Sequence, residues 1–282
     1  MYTTIIDTET VASNLNNPGW RIIDCRFSLA DTEKGRTAYG DSHLASALYA
    51  HLDEDLSSEI VPGQTGRHPL PTAEAAARVF SRWGIDRSIQ VVAYDDNVGQ
   101  VASRLWWMLR WLGHENVAVM DGGWEKWQKE GRSETADVPE FGVSDFPVEV
   151  KSSSITDVEH VNNVKENPEI CLLDARAGAR FRGEVEPIDP VAGHIPGARC
   201  AAFEENSGPD GLMKSPEALR DRFRVLIGGT ETNHVICYCG SGVSACHNLL
   251  ALVHAGLGEA KLYPGSWSEW ITDPSRAIGT GE

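Results

Sequence analysis

Short, continuously apolar runs alternate with longer stretches whose apolar residues return every third or fourth position. Ile22-Ile23, Val91-Val92-Ala93 and Val117-Ala118-Val119-Met120 are rich in β-branched residues and bounded by polar ones, the pattern of strands buried on both faces. Between them, Ala73–Trp83 and Val101–Leu112 are amphipathic at helical spacing. Further on, Val235-Ile236-Cys237 reads as another buried strand. Leu249, Leu250, Leu252 and Val253 then share a helical face that Gly256 closes. This alternation predicts an α/β fold in which mostly parallel sheets are flanked by helices.

The pattern occurs twice. Asp7, Asp24 and Arg26 recur as Asp157, Asp174 and Arg176, Gly113 as Gly256, and Trp124 and Trp127 as Trp267 and Trp270. Val91-Val92-Ala93-Tyr94-Asp95 matches Val235-Ile236-Cys237-Tyr238-Cys239. An offset of about 145 residues is the size of a domain rather than of a solenoid repeat. The expectation is two copies of one fold, residues 1–132 and 155–282, joined by residues 133–154, which lack helical periodicity and carry two prolines, Pro139 and Pro147.

Composition narrows the setting. The 41% hydrophobic content and nine tryptophans suffice for two cores. A net charge of -16 disfavours nucleic acid and anionic membranes as partners. No apolar run approaches the roughly 20 residues of a membrane span, and the first residues lack the basic and apolar regions of a signal peptide, so a cytoplasmic location is expected. Six cysteines in a chain this long do not make a disulfide scaffold and are expected to be reduced.

Cys239 stands out. It ends an apolar strand and enters Gly240-Ser241-Gly242, which leads into a helix. Ligands of parallel sheets bind beyond the carboxyl ends of the strands, and loop amides together with the positive helix end favour an anion there. That is the setting of a nucleophilic thiolate. A core cysteine would not require this loop, whereas Cys25, Cys171, Cys200, Cys237 and Cys246 lie in or beside apolar elements and read as structural. Asp95 holds the equivalent place in the first copy, which therefore lacks a nucleophile. Arg26 and Arg176, like His43 and His194, recur in both copies and read as supports of the fold. Cys237, Cys239, Cys246 and His247 do not have the spacing of a zinc knuckle, so no metal is expected. Ala245, six residues after Cys239, argues strongly against phosphatase chemistry of the Cys-x5-Arg type.

The motifs Leu173-Asp174-Ala175-Arg176, Gly178–Gly183, Gly193-His194-Ile195-Pro196-Gly197-Ala198, the cysteine loop and Tyr263–Trp270 together resemble a two-domain rhodanese-type sulfurtransferase over nearly the whole chain. The resemblance implies two tandem rhodanese-like domains and a Cys239 that cycles between thiol and persulfide without a cofactor. Cys239-Gly240-Ser241-Gly242-Val243-Ser244-Ala245 is similar to the loop of the 3-mercaptopyruvate sulfurtransferases, with Ser244 in place of a threonine. It lacks the basic residues usual in thiosulfate enzymes. The same resemblance implies that Ser241 works with His68 and Asp53, and that Arg180, Gly240, Gly242, Val243 and Ser244 line the site of a small anionic donor. A second family arginine has no counterpart in Glu184–Ala192, and Arg182 or Arg67 is its candidate replacement. Implied acceptors are a thiol such as thioredoxin, or cyanide. The alternatives are a thiosulfate:cyanide sulfurtransferase and a persulfide relay with poor turnover of small donors.

Overall fold

Each apolar run becomes a strand inside a parallel sheet. The computed structural model describes residues 1–282 and contains two units. The first comprises Met1–Ser58, Pro71–Lys151 and Pro209–Met213. Its main sheet has the order Ile5–Ile6, Val117–Met120, Gln90–Tyr94, Trp20–Asp24, Ala47–Tyr49, all neighbours parallel. The second comprises Glu59–Leu70, Ser152–Gly208 and Lys214–Glu282. Its sheet has the order Lys261–Leu262, Val235–Tyr238, Cys171–Asp174, Arg199–Cys200, again parallel, and Ile155 adds a single parallel bridge to Leu262. Asp7 and Asp157 cap the first helix of each unit, their carboxylates accepting from the N–H groups of Thr10 and His160.

The same polar frame is built in each core. Asp174 sits at the end of its strand opposite Tyr238, with no solvent exposure, and pairs with Arg176 Nη2 at 2.6 Å. Arg176 also donates to the Gly193 carbonyl and lies over the Trp267 ring. In the first unit Asp24 pairs with Arg26 at 2.6 Å, Arg26 lies over Trp124, and Tyr94 donates its hydroxyl to Asp24 Oδ2 at 2.7 Å. Burial pulls the Arg176 pKa down, but Asp174 more than offsets this and holds the guanidinium above its ordinary value. Burial, with the Asp174 charge beside it, pushes the Tyr238 hydroxyl far up. His43 stacks on Tyr39 and His194 on Phe181, each histidine with Nδ1 at 2.7 Å from that residue's carbonyl oxygen.

The boundaries differ from the sequence expectation. Residues 133–151, expected as connecting chain, belong to the first unit: Glu134–Thr135 pairs antiparallel with His43–Leu44, and the buried Phe146 packs edge-on against Phe80. Residues 59–70, expected inside the first domain, belong to the second. Both segments are largely irregular chain held by isolated hydrogen bonds, such as Lys151 N–H to the Trp111 carbonyl in one and Arg67 N–H to Ser268 Oγ in the other, so no periodicity announces their place.

Asp174→Ala would leave a buried arginine without its carboxylate. It is expected to cost about 3–5 kcal/mol in chemical denaturation, whereas Tyr238→Phe should cost about 1 kcal/mol. A loss below about 1 kcal/mol for Asp174→Ala would show that the pair does not hold this end of the sheet.

Candidate active site

Cys239 follows the central strand Val235–Tyr238 of the second unit, and the helix Ser244–His254 begins after the glycine loop. Four hydrogen bonds pin the turn. The Cys239 carbonyl accepts from Trp267 N–H and the Gly240 carbonyl from Ser268 N–H, both at 2.9 Å. Cys239 N–H donates to Ser266 Oγ at 3.0 Å, and Ser266 in turn donates to the Tyr263 carbonyl at 2.9 Å. Ser266 adopts φ +58 to make this bridge. Gly242 has φ +76, and a β-carbon there would lie 2.4 Å from the Pro264 carbonyl oxygen, so only glycine fits. The Cys239 side chain is buried, and Gly242 N–H donates to its sulfur at 3.1 Å. The sulfur thus meets an N–H donor just before an eleven-residue helix.

The first unit shows what such a loop holds. The Asp95 carboxylate accepts from four backbone N–H groups, those of Asn97, Gly99, Val101 and Ala102, at 2.7–2.9 Å. Burial pushes Asp95 above the usual carboxylate range against the opposing pull of those amides. The Asp95 carbonyl accepts from Trp124 N–H at 2.8 Å, as that of Cys239 accepts from Trp267. One copy of the loop thus encloses its own carboxylate, and the other presents a thiol.

Around Cys239 stand side chains brought from distant parts of the sequence. Residues 59–70 reach the second unit because Gly66 backs onto the Gly265 carbonyl, where a β-carbon would come within 2.4 Å, and Arg67 N–H donates to Ser268 Oγ at 3.0 Å. His68, next along, is buried, with Nδ1 at 2.7 Å from Ser241 Oγ. A β-carbon placed on Gly240 would lie 3.0 Å from Arg67 Nη2, 3.7 Å from Arg180 Nη2 and 3.8 Å from Asp189 Oδ2. Both arginines therefore face the loop. Arg180 is held by Glu186 at 2.7 Å and Asp189 at 3.1 Å, and Arg67 by Asp189. Burial raises Glu186, but Arg180 and the N–H groups of Asp189 and Ile188 prevail and hold it below the usual carboxylate range. Arg67 Nε–H is buried without an acceptor.

Ser244 opens the helix and is half-buried, and Val243 is its buried N-cap. Asp53 belongs to the first unit, where it is exposed and its N–H donates to His51 Nδ1. Arg182, one of the two candidate replacements for the absent arginine, pairs instead with Glu184 through partly exposed side chains. No disulfide joins the cysteines. Burial pushes the Cys25 and Cys237 thiols well above their ordinary range, which makes them poor nucleophiles. Sequence reasoning did not find Glu186, Asp189 or Ser266. The first two lie in the stretch searched for an arginine and met as lacking one. Ser266 shows its role only through its left-handed backbone.

The Rhodanese-like domain family matches residues 7–130 and again residues 157–273. The chain belongs to the rhodanese family, with two such domains. It is 45% identical to a probable 3-mercaptopyruvate sulfurtransferase of Pseudomonas aeruginosa over 279 residues, covering 99% of this chain and 98% of that protein. It is 38% identical to a putative thiosulfate sulfurtransferase of Mycobacterium tuberculosis, covering 92% of this chain and 90% of that one. The solved 3-mercaptopyruvate sulfurtransferase from Leishmania major superposes with a TM-score of 0.83 at 31% identity, over 95% of this chain and 74% of its own.

Asp95→Ala would leave three buried amides, those of Gly99, Val101 and Ala102, and the more exposed one of Asn97 without this acceptor. Thermal or chemical unfolding should show a loss of at least about 2 kcal/mol, and a persulfide should still form on Cys239. A neutral effect on stability would show that the carboxylate does not close the loop.

Proposed function

We propose that this chain is a sulfurtransferase that takes sulfane sulfur from 3-mercaptopyruvate onto Cys239 and passes it to a thiol. The observation that carries this reading is the Cys239 sulfur receiving the Gly242 N–H at the start of a helix, with Arg67 and Arg180 facing the same turn. The Cys239 thiolate attacks the donor's sulfur. An S–S bond forms, the C–S bond breaks, and the electron pair leaves on the donor carbon as the enolate of pyruvate, which then takes up a proton. Ser241, hydrogen-bonded to His68, is suited to deliver that proton. An acceptor thiolate then attacks the outer sulfur of the persulfide and restores the Cys239 thiolate.

Arg180 and Arg67, held by Glu186 and Asp189, present guanidinium N–H donors that a donor carboxylate can share, and the unmatched Nε–H of Arg67 is a donor ready for that group. Arg67 thus takes the place of the arginine absent from Glu184–Ala192. The loop amides of Gly240, Gly242, Val243 and Ser244 line the rest of the donor site. Thiosulfate is the second donor of this reading, in keeping with the name of the Mycobacterium relative. The acceptor is a small dithiol protein of the thioredoxin kind, or cyanide. Six cysteines without a disulfide suit a reducing compartment such as the cytoplasm. No helix is long and apolar enough to cross a membrane.

Steady-state kinetics with both donors test the assignment. Cys239→Ser should abolish transfer. Arg180→Ala should lower kcat/KM by about ten- to a hundredfold, the weight of a charge-assisted contact. Ser241→Ala should slow mercaptopyruvate turnover more than thiosulfate turnover, because thiosulfate leaves no carbanion to protonate. A wild-type protein that uses thiosulfate about tenfold better than mercaptopyruvate would reverse the order of donors. A Ser241→Ala variant affecting both equally would remove the relay.

A further inference from the structure

Two arginines and two carboxylates meet beside Gly240, and their charges cancel before any donor arrives. Asp189 is the shared member: Oδ1 pairs with Arg67 and Oδ2 with Arg180. Its side chain is only 2% exposed, so little water screens it. The turn before it is fixed, since the N–H groups of both Ile188 and Asp189 donate to Glu186 Oε1 at 3.1 Å. Glu186 is also anchored to Arg176 in the buried frame. Asp189 is therefore a stationary negative charge that an arriving anion meets together with the arginines. A carboxylate monoanion can share the two guanidinium groups with it. A dianion brings a second charge that those guanidinium groups, already matched, do not neutralise.

We propose that Asp189 is a specificity-determining residue that disfavours dianionic sulfur donors relative to monoanionic ones. The proposal rests on the reading of Cys239 as the sulfur-accepting nucleophile, and names the feature of that site that sets the class of donor. Asp189 acts through Arg67 and Arg180 and through its own field, and takes no part in bond making.

The test is the ratio of kcat/KM for thiosulfate, a dianion, to kcat/KM for 3-mercaptopyruvate, a monoanion near neutral pH. In Asp189→Asn, which keeps an oxygen for the arginines but removes the charge, the ratio should rise about tenfold, the weight of one partly screened charge contact. Asp189→Glu, which keeps the charge, should stay closer to the wild-type ratio than Asp189→Asn does. Glu184→Gln, which removes a charge at the surface pair with Arg182, should leave the ratio unchanged. Glu186→Gln should move it in the same direction as Asp189→Asn, and provides the test should that variant fail to fold. Equal loss with both donors, or an unchanged or lower ratio, in a folded variant that still forms the Cys239 persulfide would overturn the proposal. Failure of the wild-type protein to form that persulfide with either donor would instead overturn the sulfurtransferase reading itself.

Discussion

Backbone amides at the end of a central strand must find an acceptor, because burial denies them water and an orphaned N–H costs about 1–3 kcal/mol. Both units meet this demand at the same place in the sheet. In the first, Asp95 fills the turn with its own carboxylate and takes four N–H groups. In the second, the sulfur of Cys239 takes the N–H of Gly242. On the proposed function, the same cradle would hold the outer sulfur of a Cys239 persulfide. The chemistry is a consequence of which side chain the loop encloses.

The loop can be this exacting because the frame beneath it is rigid. Asp174 and Arg176, closed over by Trp267 and met by Tyr238, tie the strand ends to the segment that carries Trp267 and Ser268, and those two residues bond the carbonyls of Cys239 and Gly240. Breaking such a buried pair exposes an uncompensated charge, so the frame resists drift that would misplace the sulfur. The first unit keeps the frame in Asp24, Arg26, Tyr94 and Trp124, although it has no nucleophile. Its persistence there marks these residues as structural, and leaves Arg67, Arg180, Ser241 and His68 as groups specific to the second.

Much of this was legible in the chain. The parallel strands, the duplication, the cysteine loop and the Asp–Arg frame follow from runs of β-branched residues, from paired motifs and from glycines placed where a turn is needed. The pairing of His68 with Ser241 came from family resemblance; nothing in the local pattern of Arg67-His68-Pro69 signals it. The folded chain groups residues 59–70 with the second unit and 133–151 with the first through contacts such as Gly66 against Gly265 and Phe146 against Phe80, which have no periodicity to read. Glu186 and Asp189 were in plain view as acidic residues. Their meaning depends on which arginines they face, and that is a property of the folded chain.

The central claim is that sulfur is carried by Cys239 and by no other cysteine. Cys237, Cys239 and Cys246 lie close together in the sequence, so fragment-ion mass spectrometry of the donor-treated wild-type protein, with adducts localised residue by residue, addresses it most directly. One added sulfur on Cys239, removed again by an acceptor thiol, is the expected result. Added sulfur on Cys237 or Cys246 with Cys239 unmodified would contradict it.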